Sequence, residues 1–400
     1  MRAHVLSVPH AETSLKYIAC AFTQKVFKWC PMMLPDLEVY HYGHEASTVE
    51  CTEHITVTTH KDLQDALKWN IEKKGLKKSY NPIKDGFVFD VNDPASIAFR
   101  NNAEKEIRKR YQPNDFLLCF WGTGHLPLVN MLSDLDDLHV VEPGIGYPQT
   151  FAKYRVFESS AKMHLVRGQQ HERYFSAGSR DNNVPYTYPN WFDIIIPNYW
   201  IPETFNSQAE KDESIFFIGR LGKYKGLEVA VKLAGVSGRK LFIAGQGDLK
   251  DALGYEPNCD YEYLGVVDEQ TRNDFMKRAD CGVTASMYID PFCGTHAEFW
   301  FNETGVLTTP WGVFAETVIN GYNGYKCTAF DGGNKDDPSF IFGLNNMHKI
   351  KPKNCYKYAV DNFSIDAVRP KYINYFQRIL NHTESIKSGK DPFFFRSLAK

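Results

Sequence analysis

Two carboxylates eight residues apart, Asp290 and Glu298, stand in the run Met287-Tyr288-Ile289-Asp290-Pro291-Phe292-Cys293-Gly294-Thr295-His296-Ala297-Glu298. An apolar strand follows at 306–309, and then a second loop, Trp311-Gly312-Val313-Phe314-Ala315-Glu316-Thr317. The stretch reads as strand, tight loop, helix, strand, loop. A loop running into a helix offers free backbone N–H groups and the positive end of the helix dipole, which suits a phosphate. Asp290 falls before that helix and Glu298 about a turn inside it, so two acceptors flank a ligand whose phosphates rest on the helix start. Upstream, Gly219-Arg220-Leu221-Gly222-Lys223-Tyr224-Lys225-Gly226 follows another apolar strand. Arg220 brings a planar fork of donors and Lys225 a mobile point charge, a pair suited to a diphosphate. A nucleotide sugar meets both descriptions.

The elements that must hold these residues alternate short apolar runs with amphipathic stretches, the pattern of parallel α/β structure. In the first half the sequence predicts strands at 4–8, 38–41, 116–121, 138–142, 163–167 and 192–197, and helices at 14–30, 61–74, 95–111 and 150–160. The stretch 168–190 is polar and irregular, and a break falls at 201–212 around Pro202. The second half restarts with strands at 214–219, 240–244, 261–264, 281–284 and 306–309 and helices at 226–234, 268–278 and 294–301. A last amphipathic helix spans 367–380, and an aromatic tail, Pro392-Phe393-Phe394-Phe395, is expected to dock on the first domain.

Bulk properties narrow the classes. Four hundred residues, 43% of them hydrophobic, suit two domains of about 200 residues each. A net charge of −2 carries no basic excess for a nucleic-acid backbone, and the Lys-rich stretch 72–78 reads as a solvated helix end. Nine cysteines without a Cys-x-x-Cys pair argue against a disulfide framework or a zinc site. Cys20, Cys119 and Cys281 lie in apolar segments and read as small buried hydrophobes. The N-terminus is too short and polar for a signal sequence, and no apolar run approaches the ~18 residues of a membrane span. The expectation is a soluble cytoplasmic protein, in which the sequons at Asn302 and Asn381 stay idle.

Paired carboxylates and a Gly-Arg…Lys-Gly run are each common, so their order carries the signal. After the clamp come Leu241-Phe242-Ile243-Ala244-Gly245-Gln246-Gly247-Asp248, Tyr263-Leu264-Gly265-Val266-Val267, the Asp290…Glu298 run and Asn320-Gly321-Tyr322-Asn323-Gly324-Tyr325. Over residues 192–376 this succession resembles the nucleotide-sugar domain of retaining glycosyltransferases of family 4. The chain as a whole also resembles glycosyltransferases encoded by large algal viruses. The resemblance implies a GT-B fold, two Rossmann-like doubly wound α/β domains facing across a cleft. The acceptor-side domain would span 1–202, the nucleotide-sugar domain 213–366, and a helix and tail at 367–400 would return toward the first.

The same resemblance implies roles. Arg220 and Lys225 hold the diphosphate and stabilise it as leaving group, and Asp290 lies next to the donor sugar as the third catalytic residue. Glu298 takes the ribose hydroxyls. Gly219 and the groups around Gly294, Thr295 and His296 meet phosphate and sugar, and the base lies against the Gly265-Val266 turn. The acceptor hydroxyl attacks the face the diphosphate leaves, so configuration is retained and no enzymatic nucleophile is required. Many members use GDP-mannose, with UDP-hexoses next, and the acceptor would be a glycan or glycoprotein; a homodimer stays open as a partner. No cofactor or metal ligand motif is implied, since Asp134-Leu135-Asp136 reads as part of a Leu-spaced helical surface.

Departures from the family pattern are specific. Asp290 stands where Glu is usual, Cys293 where a Gly is usual, and Glu303 and Gly305 where Gly and Pro are usual. The loop after the first strand, Pro9-His10-Ala11-Glu12-Thr13, has no glycine, and Val141-Glu142-Pro143-Gly144 has no histidine at the strand where the family often carries one. His125, in Trp121-Gly122-Thr123-Gly124-His125, is the candidate sugar contact in its place, with His10 beside it and His164 and His171 behind them. Two rival readings are an NAD-dependent oxidoreductase, for which Gly245-Gln246-Gly247 lacks the third glycine of the dinucleotide motif, and a non-catalytic nucleotide-sugar-binding module.

Overall fold

The computed structural model describes residues 1–17, 20–82, 86–176 and 191–388, with 170–176 as backbone only. The aromatic tail, the His171 side chain and the 177–190 part of the polar stretch lie outside the described residues. In chain order the elements run β1 (Arg2–Leu6), α1 (Ala21–Met33), β2 (Glu38–His44), β3 (Glu53–Thr58), α2 (His60–Lys74), α3 (Pro94–Arg110), β4 (Phe116–Cys119), α4 (Leu126–Met131), β5 (His139–Ile145), β6 (Tyr154–Phe157), α5 (Ser160–Ser176) and β7 (Ile194–Ile195). There follow β8 (Ile215–Ile218), α6 (Leu227–Ser237), β9 (Leu241–Ala244), α7 (Leu249–Leu253), β10 (Tyr261–Tyr263), α8 (Glu269–Arg278), β11 (Cys281–Thr284), α9 (Gly294–Phe301), β12 (Gly305–Thr308), α10 (Phe314–Thr317), β13 (Gly324–Lys326), α11 (Phe340–Asn345), α12 (Pro352–Phe363) and α13 (Ile365–Lys387).

Two compact units result: Met1–Val156 with Asn183–Ile196 and Asp366–Lys400, and Phe157–Asn182 with Pro197–Ile365. The C-terminal helix thus belongs to the first unit, where Tyr372 and Phe376 pack edge-on to Trp29 and Phe376 meets Phe116. The segment read as a break at 201–212 is held on the second unit. Ser207 donates to Asp274, Lys211 to the Ala279 carbonyl, and the Asp212 N–H to the Arg278 carbonyl.

The first sheet has the order β3-β2-β1-β4-β5-β6-β7 and the second β10-β9-β8-β11-β12-β13. Every neighbouring pair of the second sheet is parallel. Counted from its first strand, that sheet runs 3-2-1-4-5-6, the doubly wound Rossmann order, whose strand order reverses between β8 and β11. Its central strands are buried apolar runs such as Ile215-Phe216-Phe217 and Leu241-Phe242-Ile243, as sheets covered on both faces require.

Local signals set most helix ends. Thr59 and Asp62 form a capping box at the start of α2, and Gly75 ends it in a left-handed conformation, so the Lys-rich stretch is a helix terminus. Asp93 and Asp268 cap α3 and α8. Two segments differ from the sequence reading. Residues 163–167, expected as a strand, lie inside α5, whose first N–H groups at Ser160 and Ala161 donate to the Glu316 carboxylate at 3.0 and 2.6 Å. Within 150–160, expected as a helix, Tyr154–Phe157 is the strand β6. Its Arg155 is 1% exposed and forms a two-point ion pair with Asp193 at 2.7 and 2.8 Å. Strands β3 and β13 and helices α4, α7, α11 and α12 were not anticipated.

Candidate functional site

Three loops of the second unit leave the carboxyl ends of β8, β11 and β12, where open parallel sheets bind ligands. The first carries Arg220 and Lys225. It can run close to the sheet because the Cβ positions of two glycines would be blocked by backbone. A Cβ on Gly245 would lie 1.8 Å from the Gly219 carbonyl oxygen, and one on Gly226 would lie 2.1 Å from that of Ala285. The Gly-x-Gly at 245–247 therefore serves the crossing of two loops, joined by the Leu221 N–H on the Gln246 carbonyl at 2.8 Å. That removes its value as a dinucleotide signature. The Met287 N–H donates to the Tyr224 carbonyl at 2.8 Å and ties the clamp loop to the Asp290 loop.

These ties bring Lys225 onto Asp290. The Lys225 Nζ lies 3.0 Å from Asp290 Oδ2 and 2.5 Å from the Tyr288 hydroxyl, and it sits 4.8 Å from the centre of the Tyr288 ring. Ser286 Oγ and the Tyr288 hydroxyl each donate to the same Oδ2 at 2.9 Å. The Asp290 side chain is 4% exposed and that of Lys225 25%. Burial acts to lower the Lys225 pKa, but the Asp290 charge outweighs it and the net shift is upward. Burial, with the same carboxylate, raises Tyr288 as well and pushes the Cys293 thiol up to about 12, so Lys225 is charged, and Tyr288 and Cys293 stay protonated, at neutral pH. Arg220 is exposed, and among the described residues its guanidinium makes no hydrogen bond or ion pair.

Helix α9 starts as the sequence predicts. Cys293 occupies the cap position in a left-handed conformation, φ 57° and ψ 69°, and no side chain caps the helix, an arrangement in which the first N–H groups of a helix can receive an anion. The Cys293 Sγ and Thr295 Oγ1 lie 3.3 Å apart. His296 contributes no side chain to a ligand: it is buried, its Nδ1 meets the Cys293 carbonyl at 2.5 Å, its Nε2 meets Thr317 Oγ1 at 3.2 Å, and burial lowers its pKa to about 4.

Glu298 faces α8 and the chain before β8. Its Oε1 accepts the Trp200 indole N–H at 3.2 Å and lies 3.7 Å from Arg272 Nη1. Trp200 and Arg272 were not singled out from the sequence; the first has no local signal, and the second is one of several charges on α8. Val266 follows Gly265 after β10 and is 65% exposed, an apolar surface of the kind a base can cover. Gly219 has open space where a Cβ would be.

The first unit departs from the histidine expectation. His125 is 1% exposed; its Nε2 lies 2.9 Å from the Ser7 carbonyl, its Nδ1 accepts the Trp121 N–H at 3.4 Å, and burial lowers its pKa to about 4. It is a neutral packing residue against Phe99 and Trp121, with no nitrogen left for a sugar. His10 stacks on Phe89 at 4.8 Å, and His164 is an exposed residue of α5. Asp134, expected on a helix, lies in a turn after α4 and pairs with Arg108 at 2.8 Å. His44, Glu45 and His60 bring ligand-type atoms within 4.8 Å of one another. However, His44 Nδ1 accepts the Ala46 N–H at 3.1 Å, which places the ring proton on Nε2 and leaves no lone pair there for a metal.

Residues 202–332, which hold every donor-side candidate, match the sequence model of glycosyl transferases group 1. No curated protein matches the chain. Among solved structures, AviGT4, a glycosyltransferase involved in avilamycin A biosynthesis, aligns over 95% of this chain and 98% of its own, at 14% identity and a TM-score of 0.60. Sucrose-phosphate synthase from Thermosynechococcus elongatus aligns over 95% and 99%, at 13% identity and a TM-score of 0.60. HepE from Anabaena, solved with UDP and glucose, aligns over 94% and 99%, at 12% identity and a TM-score of 0.55. The fold is GT-B, built from two Rossmann-like parallel-sheet units, and the chain carries the domain of a glycosyltransferase enzyme.

Proposed function

We propose that this protein is a retaining glycosyltransferase of family 4 that moves a hexose from a nucleotide sugar to an acceptor hydroxyl on a glycan or glycoprotein. The observation that carries the reading is the convergence of the loop bearing Arg220 and Lys225 with the uncapped start of α9 at the strand-order reversal of the second sheet, inside the group 1 match. As the bond between sugar and phosphate breaks, negative charge grows on the diphosphate. In this reading Lys225, Arg220 and the Gly294 and Thr295 N–H groups are the donors that meet that charge, the electrostatic arrangement that usually dominates catalysis. Removing the Lys225 ammonium should cost about 10²–10³ in kcat.

The donor we favour is GDP-mannose, in keeping with the family resemblance; HepE, solved with UDP and glucose, supports a UDP-hexose as the second reading. Nine free thiols, six of them buried, suit a reducing compartment such as the cytoplasm, and among the described residues no helix is long and apolar enough to cross a membrane. Incubating the protein with a panel of GDP- and UDP-sugars and following nucleotide release, with the anomeric configuration of any product read by NMR, tests the proposal. Silence toward every donor, in turnover and in calorimetry, would refute it; an inverted product would refute retention alone.

A further inference from the structure

We propose that Asp290 is a positioning residue which, with Tyr288, aims Lys225 at the donor's diphosphate. The inference rests on the glycosyltransferase reading and assigns Asp290 a task toward the diphosphate that the sugar-side role implied by family resemblance does not include. One carboxylate oxygen, Oδ2, already receives Lys225 Nζ, Ser286 Oγ and the Tyr288 hydroxyl at 3.0, 2.9 and 2.9 Å. A carboxylate oxygen offers about two lone-pair sites, so three donors saturate it. The backbone of Asp290 is fixed from the other side: its carbonyl accepts the Val313 N–H at 3.2 Å, and a Cβ on Gly312 would lie 2.9 Å from its nitrogen. The side chain is therefore held with Oδ2 on Lys225, and Asp is one methylene shorter than the Glu usual at this position.

The proton directions are consistent. The Tyr288 hydroxyl has a single proton and gives it to Asp290, so its oxygen accepts from Lys225. Lys225 then spends one N–H on Tyr288 and one on Asp290, and its third remains for a phosphate oxygen. The Tyr288 ring, 36% exposed, stands edge-on to Tyr224 at 5.8 Å, and the ammonium beyond its hydroxyl is held in one place by two oxygens.

The relay makes sugar-free binding the diagnostic. Calorimetric affinities of GDP, UDP and the preferred nucleotide sugar would be measured for wild type, Asp290→Asn, Lys225→Ala, the double variant and Tyr288→Phe, with thermal melts confirming that each is folded. Asp290→Asn is expected to weaken the bare nucleoside diphosphate by about tenfold or more and the nucleotide sugar by the same factor. It should weaken neither further once Lys225 is absent, because the two residues act as one unit. Tyr288→Phe, which keeps the ring, should show the same equal loss on smaller scale. Normal diphosphate affinity in Asp290→Asn with loss confined to the nucleotide sugar, or additive losses in the double variant, would overturn the relay while leaving the glycosyltransferase reading intact. A wild type that binds neither diphosphate nor nucleotide sugar would overturn that reading, and the relay with it.

Discussion

Replacing Gly226 by alanine separates a steric demand from a conformational one. Gly226 adopts φ 80° and ψ 19°, a left-handed conformation that costs a residue with a Cβ roughly 1–2 kcal/mol. Against this, alanine restricts the unfolded chain and returns roughly 0.4–1 kcal/mol. The added Cβ would also lie 2.1 Å from the Ala285 carbonyl oxygen, 2.7 Å from its carbon and 2.8 Å from its Cβ. None of these is the end of a flexible side chain, and ordinary contact needs about 3.5 Å, so the turn must lift by roughly 1 Å. Gly238, which ends α6 at φ 69°, has nothing within 4 Å of its Cβ position and supplies the matched control. Gly238→Ala should therefore lose about 1 kcal/mol or less and keep full activity. Gly226→Ala should lose a further 1–3 kcal/mol, roughly the cost of overpacking, and drop turnover by about 10²-fold through misplacement of Lys225. Urea unfolding and nucleotide release from the preferred donor measure both. If the two variants share one unfolding midpoint and wild-type turnover, the packing of the clamp loop on Ala285 does not position Lys225.

Three further outcomes are expected. Burial, against the Ala152 and Phe151 N–H groups and the Tyr147 hydroxyl, pushes the Glu142 carboxyl up to about 7 from an ordinary 4.5, so the folded state holds the proton more tightly than the unfolded chain. Its contribution to stability is fullest below pH 4.5 and falls by about 3 kcal/mol as pH rises to 7; Glu142→Gln should flatten that slope in urea titrations, and an unchanged slope would exclude Glu142 as its source. Asp193→Ala leaves Arg155 buried without its two-point partner and should cost about 3–5 kcal/mol by denaturant unfolding; a loss under about 1 kcal/mol would mean the pair does not secure β6. Glu303→Gly relieves a non-glycine residue at φ 60° and gives up only a partly exposed ion pair with Lys277, so the melting temperature should hold or rise; a clear fall would show that the pair outweighs the strain.

What the sequence revealed and what it hid divide along the range of the interactions involved. The ends of α2, α8 and α9 were legible because their signals are local: a capping box at Thr59, an Asp at 268, a tight loop before Gly294. Tyr154-Arg155-Val156-Phe157 read as helix because a charged residue in an apolar run looks amphipathic, while the Asp193 that lets Arg155 be buried lies 38 positions away. Residues 163–167 read as a strand because five residues are too few for periodicity to decide. In the site, motif order sufficed to name Lys225 and Asp290 together. The saturation of Asp290 Oδ2 did not follow from order, since one of its donors comes from 65 positions upstream. His125 looked free for the same reason: its acceptor, the Ser7 carbonyl, is 118 positions away.

The glycine departures show which parts of a motif are negotiable. Cys293 and Glu303, where the resembling family usually has glycine, both keep a left-handed backbone, at φ 57° and 60°. The turn geometry is thus retained without the residue that makes it easy, because a conformational penalty of roughly 1–2 kcal/mol is within what surrounding contacts can offset. Gly226 and Gly245 are of another kind. Backbone atoms 2.1 and 1.8 Å from their Cβ positions leave no rotamer or small shift that would admit a side chain. A missing glycine therefore counts against a phosphate-site reading only where another strand's loop crosses at that distance. The absence of glycine from 9–13 and at 293 consequently says little against the site, whereas its presence at 226, over the Ala285 carbonyl, fixes where the Lys225 ammonium can be.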